Sequence, residues 1–230
     1  MSENFPKRVD FSRRHLLKAA GIAVGALSAS LSTEASAYDC NKHNDCCFLR
    51  GTLIRGVDGH RQIESLAVGD LLPTQFSGVA AIRKIVHFTV QRDEAGRWPE
   101  DCKLVRISAG ALDENVPARD LFVSHTHAVF LNQVLVPIAS LVNGKTISFH
   151  DGLESAEYFH LEFDNHDVID AEGALCESHM DETMELCAPL ALNGGRSLLW
   201  SHLRSAIAPV MDRRLPFDLA RDHVDARAGL

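Results

Sequence analysis

Cys47 opens the run Cys47-Phe48-Leu49-Arg50-Gly51-Thr52-Leu53-Ile54. About eighty residues later the chain reads Val123-Ser124-His125-Thr126-His127. A third group follows, Tyr158-Phe159-His160-Leu161-Glu162 and then His166-Asp167-Val168-Ile169. A thiol and several imidazoles at these spacings could do nucleophilic chemistry. The thiolate is the reactive form of cysteine, and a free cysteine has a pKa of ~8.5. An imidazole, with a pKa of ~6.5, moves protons near neutrality. Together they suit attack on a carbonyl with proton transfer to the departing atom. Taken singly, each histidine is better explained as a strand residue with its bonds satisfied.

The elements that must position these groups read as strands. From Cys47 on, short β-branched runs alternate with turn signals, which predicts a mainly β domain. Strands are expected at 52–55, 71–72, 79–90 (as one strand or two), 104–107, 121–124, 128–131, 134–138, 158–163 and 168–171. Asp58-Gly59 and Asn143-Gly144 are hairpin signals, the second between strands at 140–142 and 146–149. His125 and His127, two residues apart in a strand, would share a face. Phe48 and Ile54 are expected in the core, and Gly51 is expected to allow close backbone approach. Leucines, Ile207 and Val210 at mixed spacings of three and four predict a helix over 197–211, which Pro209 would shorten. The last fifteen residues are charged and expected to be loosely ordered.

The N-terminus reads as a targeting segment, to be set aside from the fold. Ser12-Arg13-Arg14-His15-Leu16-Leu17-Lys18 resembles a twin-arginine export signal. The uncharged stretch 19–31 is too short to span a bilayer, which needs ~20 apolar residues. Ala35-Ser36-Ala37 then offers a small-residue cleavage site, so residues 1–37 form the leader and the mature chain starts at Tyr38. Delivery to the periplasm or beyond is therefore expected. Removing a leader with five basic and three acidic residues takes the formal charge from −8 to −10. That balance argues against nucleic acid as a partner and disfavours adsorption to anionic lipid. Six cysteines in an exported chain normally imply disulfides. The sequence leaves their pairing open.

The three blocks, in this order, resemble the Hint domain, the self-cleaving module shared by Hedgehog proteins and inteins. The resemblance implies a Hint-type β-fold over 47–178, preceded by a short segment 38–46 and followed by a partly helical appendage at 179–230. It also implies a reaction. Cys47 attacks the carbonyl before it, so the Cys46–Cys47 amide becomes a thioester. His127 ends the family's Thr-x-x-His motif and donates to the departing nitrogen. Ser124 stands where the motif has threonine and serves as a hydrogen-bonding helper. His166 matches the histidine of the last block and orients or polarises the site. Gly173 matches the glycine that follows. Two features depart from the intein pattern. His160 occupies a position usually held by aspartate, and the terminal His-Asn pair is missing from Gly173-Ala174-Leu175-Cys176-Glu177-Ser178. Asparagine cyclisation is thereby not expected, and the reaction would stop at cleavage. The substrate is the chain's own N-terminal segment, the acyl acceptor is water or a small nucleophile, and no cofactor is called for.

Two other readings stay open. Cys40-x2-His43-x2-Cys46 has ligand-like spacing, and the histidines at 125, 127, 160 and 166 could form a second metal site. Alternatively the barrel could be a structural or binding module whose chemistry has decayed.

Overall fold

Apolar residues in short alternating runs build two antiparallel sheets around one core. The computed structural model describes residues 47–99, 102–179, 184–191 and 216–230. The leader at 1–37, the segment 38–46 and the helix expected over 197–211 lie outside the described residues. The strands are β1 (Phe48–Leu49), β2 (Leu53–Gly56), β3 (Gly59–Gln62), β4 (Leu71–Thr74), β5 (Gly78–Ala81), β6 (Lys84–Gln91) and β7 (Leu104–Ile107). They continue with β8 (Leu121–Ser124), β9 (Ala128–Leu131), β10 (Val134–Pro137), β11 (Ile147–Phe149), β12 (Ser155–Glu162), β13 (Val168–Ala171) and β14 (Ala174–Glu177). One sheet runs β11-β7-β8-β1-β12-β6. The other runs β10-β9-β14-β13-β2-β3, with β4 pairing to β13 and β5 to β4.

The core lies where the two sheets share buried side chains. Phe48, Val105, Val123, Phe159 and Leu161 come from the first, and Ile54, Val129, Val136, Ile169 and Cys176 from the second. Phe48 and Ile54 are buried as expected, at 1% and 0% exposure. Each such side chain contributes roughly 1.5–3 kcal/mol by leaving water. Gly51 behaves differently from its expectation. Its φ is +85° and a Cβ there would meet nothing within 4 Å, so a left-handed turn selects glycine, not a close approach.

Several boundaries differ from the sequence expectations. The 79–90 run takes the two-strand alternative, as β5 and β6, because Ile82 turns in to donate to the Asp70 carbonyl. Residues 140–142 are not a strand. Ile138–Leu141 is a 3-10 turn, and the Asn143 side chain accepts from the amides of Lys145, Thr146 and Ile147, each at 3.0 Å. That local capping replaces one arm of the expected hairpin. The last fifteen residues are also ordered, as helix α1 (Pro216–Arg227). Phe217, Ala220 and Val224 line one face of it and are buried in the shared core. Asp218 near its start and Arg227 near its end suit the helix dipole. No described helix is long and apolar enough to cross a membrane.

Candidate functional site

β1 is short but central. It lies between β8 and β12 and pairs with both in antiparallel register. Phe48 stands opposite Val123 on one side and Phe159 on the other. Continuing each register by one residue sets Cys47 opposite Ser124 and opposite His160. The contacts follow. Cys47 N–H donates to Ser124 Oγ at 3.0 Å, and Ser124 N–H donates to the Cys47 carbonyl at 3.0 Å. Cys47 Sγ lies 3.6 Å from His160 Nε2. Cys47, Ser124 and His160 are all buried, at 4%, 1% and 1%.

His127 reaches the site by a different route from the one expected. The strand ends at Ser124, and a turn closes with the His127 amide donating to the Ser124 carbonyl at 3.1 Å. His125 and His127 therefore do not share a strand face. His125 is half-buried, whereas His127 has no exposure and its ring lies 4.5 Å from that of Phe48, edge on. Neither His127 ring nitrogen has a hydrogen-bond partner. Burial lowers its pKa to about 4, outweighing Glu177 and the Cys47 backbone, which favour the charged ring; His166 adds to the lowering. The resting imidazole is neutral, not poised near neutrality as its type alone implies.

His166 occupies a neighbouring cluster. Its Nε2 is 3.6 Å from Glu177 Oε2, and its Nδ1 accepts from the Cys187 amide at 3.2 Å. Glu177 is itself held by the Ala128 amide at 2.6 Å. Burial would depress the His166 pKa, but Cys187 and Glu177 outweigh it and hold the ring up at about 9. The Cys187 N–H needs an unprotonated Nδ1 and so opposes that charge. The direct contacts of His166 are thus to Glu177 and Cys187, and its influence on His127 is through charge alone.

The thiols differ in character. Burial pushes the Cys176 thiol up, out of the nucleophilic range. Cys102 is disulfide-bonded, while Cys47, Cys176 and Cys187 carry thiols. Cys102 and Cys47 share one buried cluster with Phe88, Trp98 and Tyr158. Tyr158 Oη donates to the Cys102 carbonyl at 3.0 Å. Burial, then the Cys47 charge, pushes the Tyr158 phenol up, so it remains a donor.

Residues 46–183 match the sequence model of the family described as "Hint domain". The chain belongs to the Hint domain family. Solved structures with a similar path include the gp41-1 intein, at 14% identity and a TM-score of 0.42, over 57% of this chain and 98% of that one. A DnaB intein from Synechocystis is 9% identical with a TM-score of 0.43, over 59% and 99%. A bacterial intein-like domain from Clostridium thermocellum is 14% identical with a TM-score of 0.40, over 58% and 98%. No curated protein matches. Membership rests on the family match. The Hint fold is that of self-processing domains.

Within this Hint domain the geometry brings Cys47, Ser124 and His160 into direct contact and His127 against the next residue. His166 it leaves apart from Cys47. His160 was not among the expected reactive groups, although the β12 alternation and its place in the third block were visible. The Cys40, His43 and Cys46 ligand set lies outside the described residues. Among the described residues, no three His, Cys, Asp or Glu side chains are grouped to hold a metal ion.

Proposed function

We propose that this Hint domain cleaves its own Cys46–Cys47 bond through a thioester at Cys47, without splicing. One observation supports this above the others. The nitrogen that must leave, Cys47 N, is held by Ser124 Oγ at 3.0 Å. The sulfur that must attack is on the same residue, so nucleophile and leaving atom are fixed together.

The Cys47 sulfur attacks the Cys46 carbonyl carbon. A C–S bond forms, the C–N bond breaks, and the Cys47 nitrogen leaves as an amine after gaining a proton. Ser124 Oγ orients that nitrogen and can turn its own proton toward the lone pair as it forms. The proton released by the Cys47 thiol refills that hydroxyl by way of His127, which is neutral at rest and carries charge only in passing. An imidazolium of pKa about 4 gives up a proton readily, which suits a transient proton carrier. Water or a small nucleophile then takes the acyl group. The stretch after His166 forms the β13–β14 hairpin and offers no asparagine to cyclise. We further propose that the protein is exported through the twin-arginine pathway, on the evidence of Arg13-Arg14, the uncharged stretch 19–31 and Ala35-Ser36-Ala37 in that order.

Intact mass spectrometry of wild type beside Cys47→Ala, with a phosphine reductant and hydroxylamine, tests this. Wild type should lose the segment upstream of Cys47, and the alanine variant should stay whole. An intact wild-type chain after prolonged incubation would instead favour a binding module.

A further inference from the structure

We propose that His160 is the catalytic base that takes the proton of the Cys47 thiol. This rests on the thioester reading and adds to it the residue that activates the nucleophile. The register argument places the two side by side on adjacent strands, and Sγ to Nε2 is 3.6 Å. Both side chains are buried, so no bulk water stands ready to accept the proton.

The neighbours on every side fit this role. His160 lies against the Phe88 ring at 5.3 Å from β6, and against the His179 ring at 5.0 Å from the segment after β14. On its own strand Tyr158 is kept neutral by burial. Glu162 is buried, with Arg83 and Lys84 within ion-pair reach of its two oxygens. The Glu162 carboxylate is thereby engaged with these two cations, while His160 is in contact with Cys47 Sγ.

The step balances simply. The thiol proton moves from Sγ to the unprotonated Nε2, giving a thiolate beside an imidazolium. The thiolate attacks the Cys46 carbonyl, the C–N bond breaks, and the proton returns through the site to the Cys47 nitrogen. An imidazole suits this position for a physical reason. A carboxylate beside a thiolate would repel it, whereas an imidazolium attracts it and lowers the cost of forming it. The histidine at the position usually held by aspartate thus strengthens the nucleophile and is no sign of decay.

The test compares wild type, His160→Gln and His160→Asn on two readouts. The first is the ultraviolet absorbance of the Cys47 thiolate against pH, taken as a difference from Cys47→Ala. The second is the loss of the upstream segment driven by hydroxylamine in the presence of a phosphine. Wild type should form thiolate well below the free-cysteine value, and both variants should need pH above ~8.5. Cleavage at neutral pH should fall ~10²–10⁴-fold in the variants and recover toward wild type in alkali. Unchanged thiolate titration and unchanged rates in folded variants would overturn the assignment. If neither variant folds, the pH dependence of iodoacetamide labelling at Cys47 in native wild type decides. An inflection at or above ~8.5 there overturns the pairing, and one well below it supports the pairing. A His160-dependent thiolate in a chain that never cleaves would uphold the pair and reject autocleavage.

Discussion

Cys47 and Ser124 are joined twice, each donating its backbone N–H to the other, once to a side-chain oxygen and once to a carbonyl, both at 3.0 Å. The pair bridges 77 positions of sequence and sits at the edge of the β1–β8 ladder. Removing the hydroxyl therefore orphans a buried amide as well as a catalytic helper. Ser124→Ala should lose ~1–3 kcal/mol of stability and slow cleavage at matched folded fraction. Ser124→Thr, which keeps the hydroxyl, should restore most of both. Melting curves and cleavage half-lives on the three proteins check this, and a silent Ser124→Ala would remove Ser124 from the mechanism.

His127 and His125 make an asymmetric pair. His127 is wholly buried against Phe48, and His125 sits half-exposed in the turn that precedes it. His127→Gln should lower the cleavage rate ~10²–10⁴-fold, the scale of lost acid–base help. His125→Ala should change it far less. If His125→Ala proves the more damaging in proteins of equal melting temperature, the role belongs to the earlier histidine.

The two buried histidines also set a stability window. The folded pKa of His127, about 4, lies below the ordinary 6.5, so the unfolded chain binds more protons between those values. Stability should fall as pH drops from about 6.5 to about 4, by an amount on the order of 3 kcal/mol. His166 works in the opposite sense. Its folded pKa, about 9, is raised, so its contribution is full below about 6.5 and lost as pH rises through about 9. Thermal melts across this range should show a maximum near neutrality. His127→Gln should flatten the acid limb and His166→Gln the alkaline limb; wild-type limbs in either variant would contradict the corresponding pKa.

Much of this was legible in the sequence. Residues 104–107, 121–124, 128–131 and 168–171 are strands over the expected spans, because alternation and β-branching report a half-buried sheet directly. Cys47 and Ser124 could be singled out because a motif links them. What the sequence hid were facts of pairing and solvation. The contact of His160 with Cys47 depends on a cross-strand register 113 positions apart, which no local pattern encodes. The low pKa of His127 depends on complete burial, which residue type does not report. Helix α1 was concealed by its charge, since only Phe217, Ala220 and Val224 reach the core.

Cys102 predicts how the products behave. It is disulfide-bonded and packed in the same buried cluster as Cys47. A partner upstream of Cys47, at Cys40 or Cys46, would act as a tether. Both precede the bond that Cys47 attacks, so cleavage alone would cut the chain without separating the pieces. After hydrolysis of the oxidised protein, intact mass should rise by one water and no peptide should leave. Adding a phosphine should then release the upstream segment, and Cys102→Ser should release it without reductant. A phosphine is the reagent of choice because a thiol would also attack the thioester and merge the two effects. Loss of the segment from oxidised wild type with no reductant present would show that no such tether exists.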